Sequence, residues 1–429
     1  MSDNGVYNSK DYEIKSLELI NSGGQTIDLR NIFIEMQIQQ DIYSSVMGGQ
    51  ILIKDGNDTF GAFYFCGNEY LRISIDKPGM GLPLERLFRV YKTSDRKPAN
   101  EGQTYILYFV SDELISSEQI LVSKAYKSKK IKDVVYDVLI NELKVDPQRI
   151  KSLEDTSGNF DFIIPNYRPF EAIQWAASRG YDQKKFCYFF FENKDGFNLT
   201  SYQTLVKQKP YKTLKYEIKN SDNDPANNKD SIDKFKIIND FDMLTSISNG
   251  SFSSRLLSID LFTQKFENID YSLTTAEAQG NLLNKYKPVN SFKNSKDKTL
   301  FNSPDAFFRT YLTINDTPSE KSNDVKYWML PRAMHMTLLN HFRIQITIPG
   351  DIALKVGDIV IYEFPVFESA DSAGKKLDKY RNGKYLVAAV NHIFKGSEFE
   401  SVIELVADSF AEAVPSAKDG LNKLTKKGK

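Results

Sequence analysis

The chain has 429 residues, 56 basic and 56 acidic side chains, and 41% apolar residues. It is too long for one ordinary hydrophobic core, so roughly two to four domains are expected. Its zero net charge excludes a wholesale electrostatic grip on nucleic acid, which would need a net basic face.

The N-terminus, Met1 to Gly5, has neither a basic n-region nor an apolar h-region, so no secretory signal is expected there. No apolar run approaches the length of a membrane span. The expectation is a soluble protein made in a reducing cytoplasm. Cys66 and Cys187 are the two cysteines. One long-range disulfide is open to them, but two buried thiols are the expected state. The sequons at Asn57, Asn198, Asn249 and Asn315 then read as chance matches. With 29 Phe and 23 Tyr, there are rings enough for cores and for interfaces.

Residues 1–115 read as all-β. Ile32, Ile34, Met36 and Ile38 fall at every second position, with polar Glu35 and Gln37 between the last three, and Leu71, Ile73 and Ile75 alternate with Arg72 and Ser74. Gln50 to Lys54, Leu87 to Lys92 and Tyr105 to Val110 complete the strands, with Pro78-Gly79 and Glu101-Gly102 as turns. A small barrel or sandwich is expected. After Ser128, an expected N-cap, Ile131, Val134, Val135, Val138, Leu139 and Leu143 lie at helical spacing. That helix should end by Val145, ahead of Pro147. Pro169 to Gly180 predicts a second helix, with Pro169 in its first turn and Gly180 in the left-handed position past its end. Phe186 to Phe191 and Phe197 to Ser201 form a hairpin around Asp195-Gly196. Residues 116–210 are therefore a small α+β unit.

Residues 211–218 are another candidate strand, and Asn220 to Lys234 is polar enough to be an exposed loop. Leu256 to Tyr271 reads as strands joined by an Asp-bearing turn. Thr274 to Glu277 is a capping-box pattern before a helix reaching about Tyr286. Residues 288–300 are a Lys/Asn/Ser-rich surface excursion, and a helix is expected over Arg332 to Asn340. The stretch from Phe342 to Phe410 holds four alternating strand-like segments. In the first, Phe342, Ile344, Ile346 and Ile348 share one face. Such a stretch is a barrel wall or meander. Residues 411–429 end in a basic segment with five Lys against one Asp from Ser416 onward. It reads either as a flexible solvated tail or as an arm that orders on an acidic partner.

Signatures of chemistry are missing. The three histidines, His335, His341 and His392, form no His-Glu-x-x-His pattern, and no cysteine has a metal-like partner nearby. His335 and His341 would meet only across a helix-to-strand turn; His392 falls in a strand, as a core or interface imidazole. No nucleophile elbow, phosphate loop or dinucleotide fingerprint occurs. Gly48-Gly49-Gln50 matches the tripeptide of peptidyl-tRNA hydrolysing factors, but three residues ahead of a strand carry little. Glu400 and Glu404 share a strand face at even spacing, as solvated carboxylates would. No catalytic, metal or cofactor site is expected, and the chain reads as a scaffold and not as an enzyme.

Several segments taken together carry a resemblance. Ile163 to Arg179 (IIPNYRPFEAIQWAASR) precedes Tyr188 to Phe197 (YFFFENKDGF). Met243 to Gly250 (MLTSISNG) leads into Ser251 to Lys265 (SFSSRLLSIDLFTQK), and Phe342 to Phe410 completes the set. The combination resembles the central baseplate hub proteins of contractile-tailed bacteriophages, the family that includes the T4 hub. It spans about residues 10–410, and rests on order and local wording, with no binding motif from which interface residues can be carried over.

The resemblance implies an α+β, mainly β, fold with two similar small antiparallel β-barrels and two smaller α+β domains. The barrels would be residues 1–115 and, discontinuously, 211–245 with 340–410. The α+β domains would be 116–210 and an insertion at 246–339, ahead of the 411–429 tail. It also implies a homotrimeric ring in the virion tail baseplate, assembled in the host cytoplasm. That ring adapts a sixfold tail tube to a threefold spike, and passes the tape-measure protein and DNA through its lumen. Because DNA must slide through without being retained, a neutral-to-acidic lining is expected. Implied partners are the spike protein, in some relatives lysozyme-bearing, and tube or tube-initiator proteins; no cofactor is implied. The alternatives are the hub of a phage-derived injection system, of bacteriocin or secretion type, and a virion-associated peptidoglycan hydrolase.

Overall fold

The computed structural model describes residues 11–63, 65–77, 83–182, 185–216, 230–261, 264–278, 282–313, 325–366 and 377–414. The turn expected at Pro78-Gly79, most of the 220–234 loop and the basic end of the tail lie outside them. The fold is mainly β, at 48% strand and 19% helix, in several antiparallel sheets with short helices between.

The first strands are β1 (Glu13–Ile20), β2 (Thr26–Asp28), β3 (Phe33–Asp41) and β4 (Gly48–Asp55). After a short helix α1 (Thr59–Phe63) come β5 (Tyr70–Asp76), β6 (Leu84–Ala99) and β7 (Gly102–Ser111). Alternation decides their faces: Leu71, Ile73 and Ile75 on β5 are buried, as are Met36 and Ile38 on β3. Ile34, expected on the same face, is instead the extra residue of a bulge between Phe33 and Glu35 and is exposed. The spatial order is β2-β1-β5-β6-β7-β4-β3. The chain between β2 and β3 closes the wall, since the Leu29 N–H donates to Leu17 O and Ile32 O accepts from the Lys54 N–H. The expected barrel-or-sandwich is thus a closed barrel, around a core that includes Leu17, Ile51, Phe88 and Leu107.

An α+β unit follows: α2 (Asp112–Glu118), β8 (Val122–Lys129), α3 (Ile131–Asp137), β9 (Ile150–Leu153), β10 (Phe160–Tyr167), α4 (Pro169–Ala177), β11 (Tyr188–Asn193), β12 (Gly196–Ser201) and α5 (Tyr202–Leu205). Two local expectations need correction. Ser128 does not cap α3; it lies near the end of β8 with φ 51°, and Lys130 holds the N-cap position. Pairing of β8 with β10 out to Lys129 outcompetes the cap. Gly180 is not left-handed either. Its N–H donates to Ala177 O, and its missing Cβ leaves room for the Tyr188 ring, 3.0 Å from where that carbon would sit. Pro169 does open α4, and β11 and β12 form the expected hairpin. It turns at Lys194-Asp195, one residue before the Asp195-Gly196 expected, because Gly196 already pairs with Asn193 as the first residue of β12.

Next come β13 (Thr213–Tyr216), β14 (Ser231–Ile232) and β15 (Lys234–Asn239). The C-terminal part of the supposed 220–234 loop is therefore strand: Ser231 and Ile232 are buried beside β13. An inserted unit carries α6 (Met243–Ser248), β16 (Ser253–Asp260), β17 (Lys265–Ser272), α7 (Leu273–Ala278), β18 (Phe308–Thr313) and α8 (Val325–Leu338). The helix expected to reach Tyr286 does not. The Leu283 N–H instead donates to the Asp408 carboxylate, and Tyr286 exchanges backbone hydrogen bonds with Phe410. Those partners are more than a hundred residues away in sequence, beyond the reach of local pattern.

The chain then returns through β19 (Phe342–Pro349), β20 (Ile359–Glu363), β21 (Gly383–Lys395) and β22 (Glu398–Ala407), the four strands expected. Their spatial order with the earlier strands is β14-β13-β20-β21-β22-β19-β15. Asp233, between β14 and β15, closes this barrel by donating its N–H to Thr347 O.

Strand for strand, this order repeats that of the first barrel, with β13, β14, β15, β19, β20, β21 and β22 in the places of β1 to β7. One bulge coincides: Tyr91 is the extra residue of β6 opposite β7, and Ala388 that of β21 opposite β22, whereas a second bulge of β6 between Ser94 and Lys97 has no counterpart in β21. One strand departs, because β13 runs parallel to both neighbours where β1 runs antiparallel to its own.

Candidate functional site: a seam between barrels and two open edges

The two barrels share one fourteen-stranded sheet because β3 pairs antiparallel with the C-terminal half of β21, from Asp41 opposite Ala389 to Glu35 opposite Lys395. The ladder continues past Asp41, where the Ile42 N–H donates to Ala388 O at 2.9 Å. The bulge at Ala388 makes this possible. Ahead of it β21 pairs with β20; beyond it, the same edge of the strand is turned over to β3. Side chains reinforce the backbone bonds. Asn391 donates to Gln37 at 3.2 Å, and Gln37 donates to Glu35 at 2.6 Å. At the far end, the stacked rings of Phe394 and Phe399, 4.3 Å apart, enter the core of the first barrel although they belong to the hairpin of the second.

The seam is clamped from outside by buried polar groups. The Glu192 carboxylate on β11 accepts from the Met47 N–H at 2.9 Å, from Ser111 Oγ at 2.6 Å and from Arg149 at 2.5 Å. Burial pushes its pKa up, against the pull of Arg149 and Arg86. This ties the α+β unit to the ends of β4 and β7. On the other barrel, the Asp408 carboxylate accepts from the Tyr202 hydroxyl at 2.6 Å and from the Leu283 N–H at 3.0 Å. Asp351 accepts from Lys212 Nζ at 2.8 Å, and its N–H donates to Ser401 Oγ. Burial raises the Asp351 pKa, but Lys212 and the Ala353 N–H act together against it and the net shift is downward.

The histidines do not converge. His335 lies on α8 between the rings of Phe186 and Tyr202, and burial pushes its pKa down to about 3. His341 follows α8, buried and lowered to about 4, with Asp240 pulling it weakly upward. His392 is a core imidazole of β21, its Nδ1 2.9 Å from Ser401 Oγ, also lowered to about 4 by burial. Both cysteines are free, but Cys66 is exposed and not buried as expected, because it lies in the loop before β5. Cys187 is buried, and burial pushes its thiol up to about 11. Glu400 and Glu404 lie partly exposed on one face of β22, where Glu404 meets Arg343 at 2.5 Å. Gly48 and Gly49 do not precede β4 but begin it. Among the described residues, no group of three or more His, Cys, Asp or Glu is placed to hold a metal ion. No helix among them is long and apolar enough to cross a membrane.

What the sequence reading missed is a pair of strand edges. Beyond Val90, whose N–H donates to Glu69 O, no strand among the described residues pairs with the edge of β6 opposite β7. Likewise none pairs with the edge of β15 opposite β19. Ile238, Phe241 and Leu244, on or just past β15, are exposed, Leu244 to 83%. The signal was present as Ile237-Ile238, two consecutive apolar residues that break the alternation of a half-buried strand.

No family model matches the chain, and no curated protein matches it. Solved structures do. A tail protein from Neisseria meningitidis MC58 is similar at a TM-score of 0.54 and 10% identity, over 93% of this chain and 97% of that one. The 43 kDa tail protein of prophage MuSo2 from Shewanella oneidensis is similar at 0.51 and 9% identity, over 92% and 98%. The likeness at this identity is one of fold, and it covers both barrels and the units between them.

Proposed function

We propose that this chain is a structural virion protein, the central hub of a contractile phage-tail baseplate, in which three copies form a ring around a channel. The observation that carries this reading is the duplicated barrel. One chain holds the same seven-strand plan twice, joined edge to edge. Three copies then present six similar barrels, which matches a sixfold tube on one side and a threefold spike on the other. A head-to-tail contact whose rotation closes gives such a ring. The fold likeness to a tail protein of Neisseria meningitidis and to a prophage tail protein of Shewanella oneidensis, over nearly the whole chain, supports it.

In this reading the partners are two further copies, a spike protein, and tube or tube-initiator proteins. Tape-measure protein and DNA pass through without specific binding. The zero net charge supports a channel that does not retain DNA. The chain does no covalent chemistry; its work is to hold symmetry and leave a lumen. Sedimentation velocity or mass photometry of the purified chain, alone and with the spike protein, tests the reading. A three-copy particle is expected. A strict monomer that joins neither spike nor tube partners overturns it, and a clear peptidoglycan-digestion band lost on mutating one acidic residue overturns the non-enzymatic part.

A further inference from the structure

The seam inside the chain supplies a template for the contact between chains. Because the two barrels share strand order and the bulge at Tyr91 and Ala388, the seam residues from Ala389 to Asn391 have counterparts on β6. Val90 faces Phe109 before the β6 bulge and Val387 faces Leu405 before that of β21, so Lys92, Thr93 and Ser94 correspond to Ala389, Val390 and Asn391. On the other side, Met36 and Ile38 face Ile51 and Gly49 of β4, while Phe235 and Ile237 face Ile346 and Ile344 of β19. Ile237 therefore corresponds to Ile38. Past the extra residue Ile238, Asn239 takes the place of Gln39, and Asp240 and Phe241 those of Gln40 and Asp41.

The paired members of this set are covered and their counterparts are not. Ile38 is fully buried, whereas Ile237 is 38% exposed. From Ala389 to Phe394, every second residue of β21 is buried, whereas from Tyr91 to Ala99 none of β6 is. Tyr91, at the bulge, is 49% exposed and Phe241 65%. An unpaired strand edge bordered by exposed apolar side chains is a template for another chain.

We propose that the β6 edge of one copy pairs antiparallel with the β15 edge of the next, in the register that the β21–β3 seam dictates. Ser94 then lies opposite Asn239, Thr93 opposite Asp240 and Lys92 opposite Phe241. The Asp242 N–H reaches Tyr91 O as the Ile42 N–H reaches Ala388 O inside the chain. Leu87 and Tyr91 on one copy and Ile238, Phe241 and Leu244 on the other supply apolar surface beside the pairing. The inference rests on the ring reading for its closure into three copies, but names the surface independently of that number. Beyond Ser94 a second bulge of β6, between Ser94 and Lys97, has no counterpart in β21 opposite β22, and the strand carries Asp95, Arg96 and Lys97 where β21 runs straight on through His392 to the apolar Ile393. The contact between copies is accordingly shorter and more polar than the seam within one.

Disulfide trapping tests the register. In a Cys66→Ser background, Ser94→Cys and Asn239→Cys are made as separate chains and mixed under mild oxidation; facing strand positions have Cα separations within disulfide reach. A covalent dimer in the mixture, absent from either variant alone, is expected, and a chain carrying both should give covalent three-copy rings. Phe241→Glu, at an exposed position, should keep the monomer's thermal unfolding and abolish assembly. If particles of three form but Ser94 and Asn239 never cross-link and Phe241→Glu assembles normally, the strand junction is wrong while the ring stands. If the chain stays monomeric at all concentrations and no cross-link forms, both are wrong. Covering of the β15 edge by residues 217–229 of the same chain, read as protection of that edge from hydrogen exchange in the monomer, also overturns the junction.

Discussion

The two barrels use the same strand order and one common bulge, yet one edge of each is sealed within the chain and, among the described residues, the other is left open. Ile38 and Ile237 occupy the same place beside β4 and β19, and their different exposure comes from the strand lying on their other side. The difference teaches that burial in this molecule is set by position in the ring of strands. Residue type contributes little, since both are isoleucine.

The largest expected effect breaks this pair apart. Ile38→Asp places a carboxylate in the apolar core of the first barrel beside the sealed seam, and should cost about 3–5 kcal/mol in denaturant unfolding. Ile237→Asp should change the monomer's stability by about 1 kcal/mol or less, with its effect appearing in assembly instead. Equal costs in the isolated chain would show that the β15 edge is covered there. A second pair is Gly49 and Ile344, which face Phe109 and Leu405 at one register position. In the first barrel the Phe109 ring fills the space that a side chain at 49 would need. A Cβ there would also come within 2.0 Å of Gln37 O, backbone of the seam strand. Gly49→Ala should therefore destabilise by roughly 1–3 kcal/mol. Trimming Phe109 to Leu should not restore it, because the backbone clash remains; full recovery in the double variant would refute this reading of the site.

A smaller, distributed effect concerns acid. His335, His341 and His392 are held neutral by burial, with pKa values lowered from 6.5 to between about 3 and about 4. Below pH 6.5 the unfolded chain takes up protons that the folded chain refuses, so stability falls as pH drops from about 6.5 towards about 4. Thermal midpoints measured at pH 7 and pH 5 should differ, and His392→Leu should flatten that slope. A midpoint insensitive to pH across this window would contradict the burial of these rings. The smallest effect is at the outer end of the seam. Lys395 and Glu35 stand 3.9 Å apart with the lysine well exposed, so Lys395→Ala should shift stability by no more than about 0.5 kcal/mol.

How much of this was readable in advance follows from the range of the interactions. Phe342 to Ala407 was legible as strands because inward Ile344, Ile346 and Ile348 alternate with polar neighbours, and the pattern is local. Ser231 and Ile232 were not, because two residues beside a polar run become strand only through β13. The same holds for Leu283 to Tyr286, held by Asp408 and Phe410 and not by the helix that their capping pattern suggested. The candidate site was least legible. An edge strand is defined by what fails to lie beside it, and only the topology reveals that. Still, the Ile237-Ile238 break in alternation was a mark that β15 does not finish inside its own barrel.

The measurement that bears most directly on this account is single-particle imaging of the purified chain at assembly concentrations. It predicts a closed three-copy particle with six similar barrels around a channel, in which β6 of each copy continues into β15 of the next. Monomers throughout, or a twofold dimer joined through another face with both edges still open, would contradict it.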